Sequence, residues 1–99
     1  MKKEKNSKRS QADLYATILE VIKRHPEGAR ITKISYGVGA PIDRLKVMVD
    51  ALSSYGLILK ITGEEDEVYY GVTPRGQEFL ETYWKMKGFL ASFGSQGNE

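Results

Sequence analysis

No cysteine occurs among the 99 residues, which excludes disulfides and thiolate metal sites. The single histidine, His25, cannot build a zinc cluster alone. No apolar run approaches the roughly 18 residues that a membrane span requires. The basic start has no apolar segment behind it, so no secretory signal is expected. These absences lead us to expect a cytoplasmic protein with no membrane, cofactor, metal or small-molecule substrate. Proline is also scarce. Pro26, Pro41 and Pro74 are the only three, and each falls where a helix is expected to stop or start.

Charge is present but unevenly placed. Residues 1–9 hold Lys2, Lys3, Lys5, Lys8 and Arg9 against Glu4. The chain's net charge of +2 therefore divides into a strongly basic start and a mildly acidic remainder. A polar, charged segment of this kind is read as a disordered basic arm (1–9), and such arms often contact nucleic acid; Lys8 and Arg9 are its candidate contacts.

Catalysis finds no support in the residues. Glu64, Glu65, Asp66 and Glu67 are adjacent carboxylates, but a hairpin tip is exposed and offers nothing to tune them for acid–base work. His25 suits a helix C-terminus, where a cation complements the macrodipole. Gly37-x-Gly39 lacks the third glycine and preceding strand of a dinucleotide site. Ser10 and Ser35 have no identifiable base. The expectation is a protein that is not an enzyme.

The order of elements is more informative. Ser10, with Asp13 three residues on, reads as a capping box opening a helix with Leu14, Tyr15, Ile18, Leu19 and Ile22 on its apolar stripe. It should end near His25. Ala29-Arg30-Ile31 is long enough only for a bridging strand. Thr32 is expected to cap a short second helix, and Gly37-Val38-Gly39-Ala40 to form a turn. Pro41 suits the first turn of a third helix whose stripe is Ile42, Leu45, Met48, Val49 and Leu52, ending at a left-handed Gly56. Leu57–Thr62 and Val68–Val72 are β-branched and aromatic runs flanking an acidic turn, hence a hairpin. Tyr69 and Tyr70 should face opposite sides of it. Thr73 and Pro74 then open a last helix expected to reach Phe93, with 94–99 as a disordered tail.

A helix-turn-helix followed by a two-stranded wing carries its chemistry on the exposed face of the second helix of the pair. The exposed positions there are Asp43, Arg44, Lys46 and Val47. Arg44 and Lys46 are of the type that reaches phosphates and guanine edges, and an acid such as Asp43 accepts from cytosine. Lys60 and Thr62 on the rising strand are further candidates for contacts to the DNA backbone. The acidic tip departs from a wing that meets phosphates, so it should point away from DNA, or else the module binds a protein. In the last helix Phe79, Tyr83, Met86, Leu90 and Phe93 recur at spacings of 4, 3, 4 and 3, a heptad seam for dimerisation. Leu80 and Trp84 beside it are expected to pack back on the domain.

Two stretches carry a resemblance. Leu45-x-x-Met48-Val49-x-x-Leu52-x-x-x-Gly56-Leu57-Ile58 and Tyr69-Tyr70-x-Val72-Thr73-Pro74-Arg75-Gly76-x-x-Phe79-Leu80 resemble archaeal winged-helix proteins. In layout the chain is similar to the small Sulfolobus nucleoid family of "ten-a" type. The resemblance implies a homodimer held by an antiparallel coiled coil of last helices, binding double-stranded DNA with little sequence preference. It implies that Arg44 and Lys46 are recognition-helix contacts, with Arg30 and Lys33 nearby on the supporting helix. The expected class is mainly α with a small β-hairpin: a winged helix-turn-helix over 10–76 and a long C-terminal dimerisation helix over 77–93. Its role is then architectural or transcriptional-regulatory. The alternative is a protein-interaction module that uses the acidic wing.

Overall fold

The computed structural model describes residues 10–97, with side chains through residue 93. Its elements run α1 (Gln11–Lys23), α2 (Ile31–Val38), α3 (Ile42–Ser54), β1 (Ile58–Thr62), β2 (Val68–Val72) and α4 (Pro74–Gly97). The expected class holds: mainly helical, with one antiparallel hairpin. The first helix begins at the expected box. The Asp13 amide donates to the Ser10 hydroxyl at 3.1 Å and the Ser10 amide to the Asp13 carboxylate at 3.4 Å, so two otherwise unpaired donors are satisfied. From there α1 buries Ala16, Ile18, Leu19, Val21 and Ile22. They meet Ile34 and Val38 of α2, Leu45, Met48, Val49 and Leu52 of α3, Ile58 of the hairpin and Leu80 of α4 in one core. No charged or polar side chain is buried among the described residues.

Several boundaries fall elsewhere than expected. α1 ends at Lys23 with Arg24 as its cap, and His25 lies in the following turn. The constraint before Pro26 is met by leaving the helix two residues early. Thr32 is inside α2, which starts at Ile31 after Arg30, and no side chain caps it. Pro41 precedes α3 as its N-cap residue. Gly37 is helical, and only Gly39 takes the left-handed conformation that ends α2. The lack of a side chain at Gly37 serves packing: a Cβ there would stand 2.7 Å from Val21 Cγ1. α4 continues to Gly97, past the Phe93 end expected for it, because neither proline nor an isolated glycine cap stops it.

The two sequence pieces that carry the resemblance lock together at one junction. α3 ends in a Schellman arrangement: the Gly56 amide donates to the Ser53 carbonyl and the Leu57 amide to the Leu52 carbonyl, both at 3.0 Å, with Gly56 at φ +79°. Thr73 then closes the gap from the other side. Its amide donates to the Leu57 carbonyl at 3.1 Å and its hydroxyl to the Gly56 carbonyl at 2.6 Å. The same hydroxyl accepts the Gly76 amide at 3.0 Å, capping α4. Gly76 lies so close to the Leu57 carbonyl that no side chain fits between them.

The hairpin pairs Ile58 with Val72 through Thr62 with Val68. Ala29 bridges to Tyr70 with bonds of 2.9 Å in both directions, which ties the start of α2 to the outer edge of β2. Tyr70 packs on the core. Tyr69 faces the other way and carries the Arg30 guanidinium 5.4 Å from its ring centre.

Candidate nucleic-acid interface

The helical pair α2–α3 presents most of the expected contacts outward. Lys33, Arg44 and Lys46 are exposed, and Arg30 is exposed over Tyr69. No carboxylate of the described residues lies within ion-pair distance of any of the four; among the described residues the one ion pair joins Lys87 to Asp13 at 3.6 Å. Unpaired cations on one exposed unit retain their full attraction for an anionic partner. Lys60 is exposed and stands opposite Tyr70 in the register. It therefore lies on the hairpin face that packs toward the helices. Lys8 and Arg9 lie outside the described residues.

Leu45, Met48, Val49 and Leu52 face the core. Asp43 and Val47, one turn apart, project from the opposite side, with Val47 at 70% exposure. Arg44 and Lys46 flank that ridge on either side. Tyr36 on α2, at 90%, is the most exposed large hydrophobic side chain of the described residues. It is not among the contacts expected from the sequence. The signal was its spacing of three from Lys33, which sets the two on one face. Asp50 sits one turn beyond Val47, toward the hairpin. Burial first, and then the Asp50 charge, raise the Tyr70 phenol above its ordinary pKa.

At the wing tip Glu64, Glu65 and Asp66 are exposed. The fourth acid is turned inward: Glu67 accepts the Glu65 amide at 2.8 Å and its carboxylate folds over Gly63. The tip thus displays three carboxylates where four were expected.

α4 runs back antiparallel along α1 and is anchored there by side chains. The Tyr83 hydroxyl donates to the Asp13 carboxylate, Lys87 approaches the same carboxylate, and the Trp84 indole donates to Glu20 at 2.8 Å. The Tyr83 bond holds Asp13 below its ordinary pKa, and the same bond pushes the Tyr83 phenol up to about 12. This changes the expected seam. Tyr83 is 9% exposed and belongs to its own core; Phe79 is half-buried against it. Met86, Leu90 and Phe93 are exposed as the seam requires, and so is Phe89, at 65%. Leu80 is buried as expected, whereas Trp84 is tied down only by its indole and stays half exposed. No helix of the described residues is long and apolar enough to cross a membrane.

A family model described as winged helix-turn-helix matches residues 8–90. No curated protein matches the chain. Among solved structures, Sso10a-2, a DNA-binding protein from Sulfolobus solfataricus, is similar at a TM-score of 0.67 and 24% identity, over 89% of this chain and 92% of that one. MepR, a transcription regulator of the Staphylococcus aureus multidrug efflux pump MepA, is similar at 0.72 and 16%, over 88% and 66%. FabT of Streptococcus pneumoniae, solved in complex with DNA, is similar at 0.65 and 15%, over 86% and 60%. The chain therefore spans less than two thirds of the lengths of MepR and FabT. At these identities the likeness is one of fold.

Proposed function

Because the chain belongs to the winged helix-turn-helix family, we propose that it binds double-stranded DNA as a homodimer, in an architectural or transcriptional-regulatory role in the cytoplasm. The observation that carries this reading is the set of exposed cations on α2 and α3 without carboxylate partners among the described residues. α3 leads into the major groove with its N-terminal half. Arg44 and Lys46 meet phosphates on its two walls, Arg30 and Lys33 meet the backbone beside them, and Lys60 approaches from the wing. Lys8 and Arg9 of the arm add charge. Tyr36, exposed beside Lys33, supplies a hydroxyl of the kind that also bonds phosphate oxygens.

The dimer is supported by the apolar side of α4. Phe79, Thr82, Met86, Phe89 and Phe93 follow one another at spacings of 3, 4, 3 and 4, a heptad seam one position removed from the expected one, with Leu90 on its flank. A second copy of α4 covers this stripe, on which Met86, Phe89 and Phe93 all stand exposed.

The test is binding of the full chain to duplex DNA by fluorescence anisotropy over a salt series. Replacing both Arg44 and Lys46 by Ala removes two phosphate contacts and makes the log–log salt slope shallower by about 2. An unchanged slope removes those residues from the interface. A second reading, protein binding through the wing, is favoured by one observation: Glu64, Glu65 and Asp66 stand exposed at the tip. Reversing the three to lysine strengthens DNA binding if the wing lies near phosphates and abolishes partner capture if the second reading holds.

A further inference from the structure

This inference rests on the DNA-binding reading and concerns what the same helix reads. The resemblance implied little sequence preference. A helix that coats phosphates without regard to sequence has cations along its outermost ridge. α3 has them only on its flanks. Its ridge carries Asp43 and Val47, both exposed, and the core contacts of α3 all lie on the opposite side.

Val47 adds nothing to the fold. It is β-branched, which lowers helix propensity slightly, and at 70% exposure it buries little. Asp43 lies in the first turn of α3, which has no side-chain cap, so it contributes something to the helix dipole. That role does not require it to share a ridge with Val47. When the first turns of α3 enter the major groove, the flanking Arg44 and Lys46 straddle toward the phosphate walls and the ridge meets base edges. A carboxylate there accepts from the cytosine amino group and is repelled by the acceptors N7 and O6 of guanine. An isopropyl group there packs on the thymine methyl. Asp50, the next residue along, faces the hairpin and lies beyond the part of the helix that leads.

We propose that Asp43 and Val47 are specificity-determining residues, reading a cytosine and a thymine in a double-stranded DNA site. Four helical residues advance about 6 Å, so along the groove the two bases stand roughly two steps apart at 3.4 Å per step. Arg44 and Lys46 hold the duplex without choosing its sequence. Selection comes as much from rejection as from attraction, since a guanine opposite Asp43 leaves the carboxylate desolvated among acceptors.

The test equilibrates the full chain with a pool of random-sequence duplexes and sequences the bound fraction, for the wild type, Asp43→Asn and Val47→Ser. The expected wild-type result is a cytosine and a thymine about two steps apart, each preferred about tenfold. Asp43→Asn moves the first preference from cytosine toward adenine, because a carboxamide pairs with adenine N6 and N7. A purely structural role at the helix start does not produce that switch. Val47→Ser flattens the thymine position alone. Wild-type binding to selected and unselected duplexes equal within about threefold, well under one good base contact, overturns the inference and leaves DNA binding standing. Enrichment that neither substitution alters overturns the assignment to these residues. Failure to retain any duplex at low salt overturns both this inference and the reading it rests on.

Discussion

Two glycines of α4, Gly76 and Gly88, allow a matched test of the junction between α3, the hairpin and the last helix. Alanine gains about 1 kcal/mol of helix propensity at Gly88, inside α4, and at most that at Gly76, in its first turn. Nothing lies within 4 Å of a Cβ at Gly88, so Gly88→Ala keeps that gain. At Gly76 a Cβ presses into the Leu57 carbonyl oxygen and stands 2.9 Å from Val72 Cγ1. The carbonyl cannot retreat freely, because it accepts the Thr73 amide at 3.1 Å. Overpacking of this kind costs about 3 kcal/mol or more when the obstacle is backbone, which leaves Gly76→Ala destabilised by about 2 kcal/mol after the propensity gain. That is a large part of the roughly 5–15 kcal/mol a small domain possesses. In urea, with a slope of about 1–2 kcal/mol per molar, Gly88→Ala raises the midpoint by roughly 0.5–1 M and Gly76→Ala lowers it by roughly 1–2 M. Both are measured at one protein concentration, since any pairing of chains makes stability depend on it. Equal shifts for the two variants would refute the reasoning about the junction.

The Tyr83–Asp13 bond makes stability depend on pH at both ends. Asp13 is held below its ordinary pKa, so its contribution is present above the carboxylate range and lost as pH falls through it. Tyr83 is pushed from 10.0 to about 12, so its contribution is whole below pH 10 and lost as pH rises toward 12; thermal unfolding of Tyr83→Phe against the wild type should show both dependences weakened. The α4 stripe predicts that Phe89→Lys yields a monomer in sedimentation at concentrations where the wild type is dimeric, with an unchanged helical signal. Lys85→Ala, off the stripe, should leave the mass of the wild type.

Much of the fold was legible because each element carries its own punctuation. The Ser10–Asp13 box, the left-handed Gly56 and the Thr73-Pro74 start all appear where their residues announce them. What was hidden depends on neighbours distant in sequence. Gly37 resembles a turn glycine until Val21 is seen against it. Tyr83 fits a heptad seam as well as it fits a core, and only the approach of Asp13 from α1, 70 residues away, assigns it to the core. Glu67 counts as one more acid at the tip until its carboxylate is found holding the Glu65 amide. At the interface, the cations of α3 were readable from helical periodicity. The exposure of Tyr36 follows from the same periodicity, since it lies two residues from each of Ile34 and Val38, the buried pair of α2.

The junction at Leu57 has a mechanical consequence. The end of α3 and the beginning of α4 share carbonyls and donors through Gly56, Leu57 and Thr73, with no slack loop between the two helices in space. A twist applied to the far end of α4 is therefore delivered to α3 as a rotation of a single stiff crank. If two such cranks are paired along α4, a small change in their crossing angle swings both α3 helices through the same angle in opposite senses. The separation of the two helices is then governed by the pairing of the shafts rather than by any flexing within either domain.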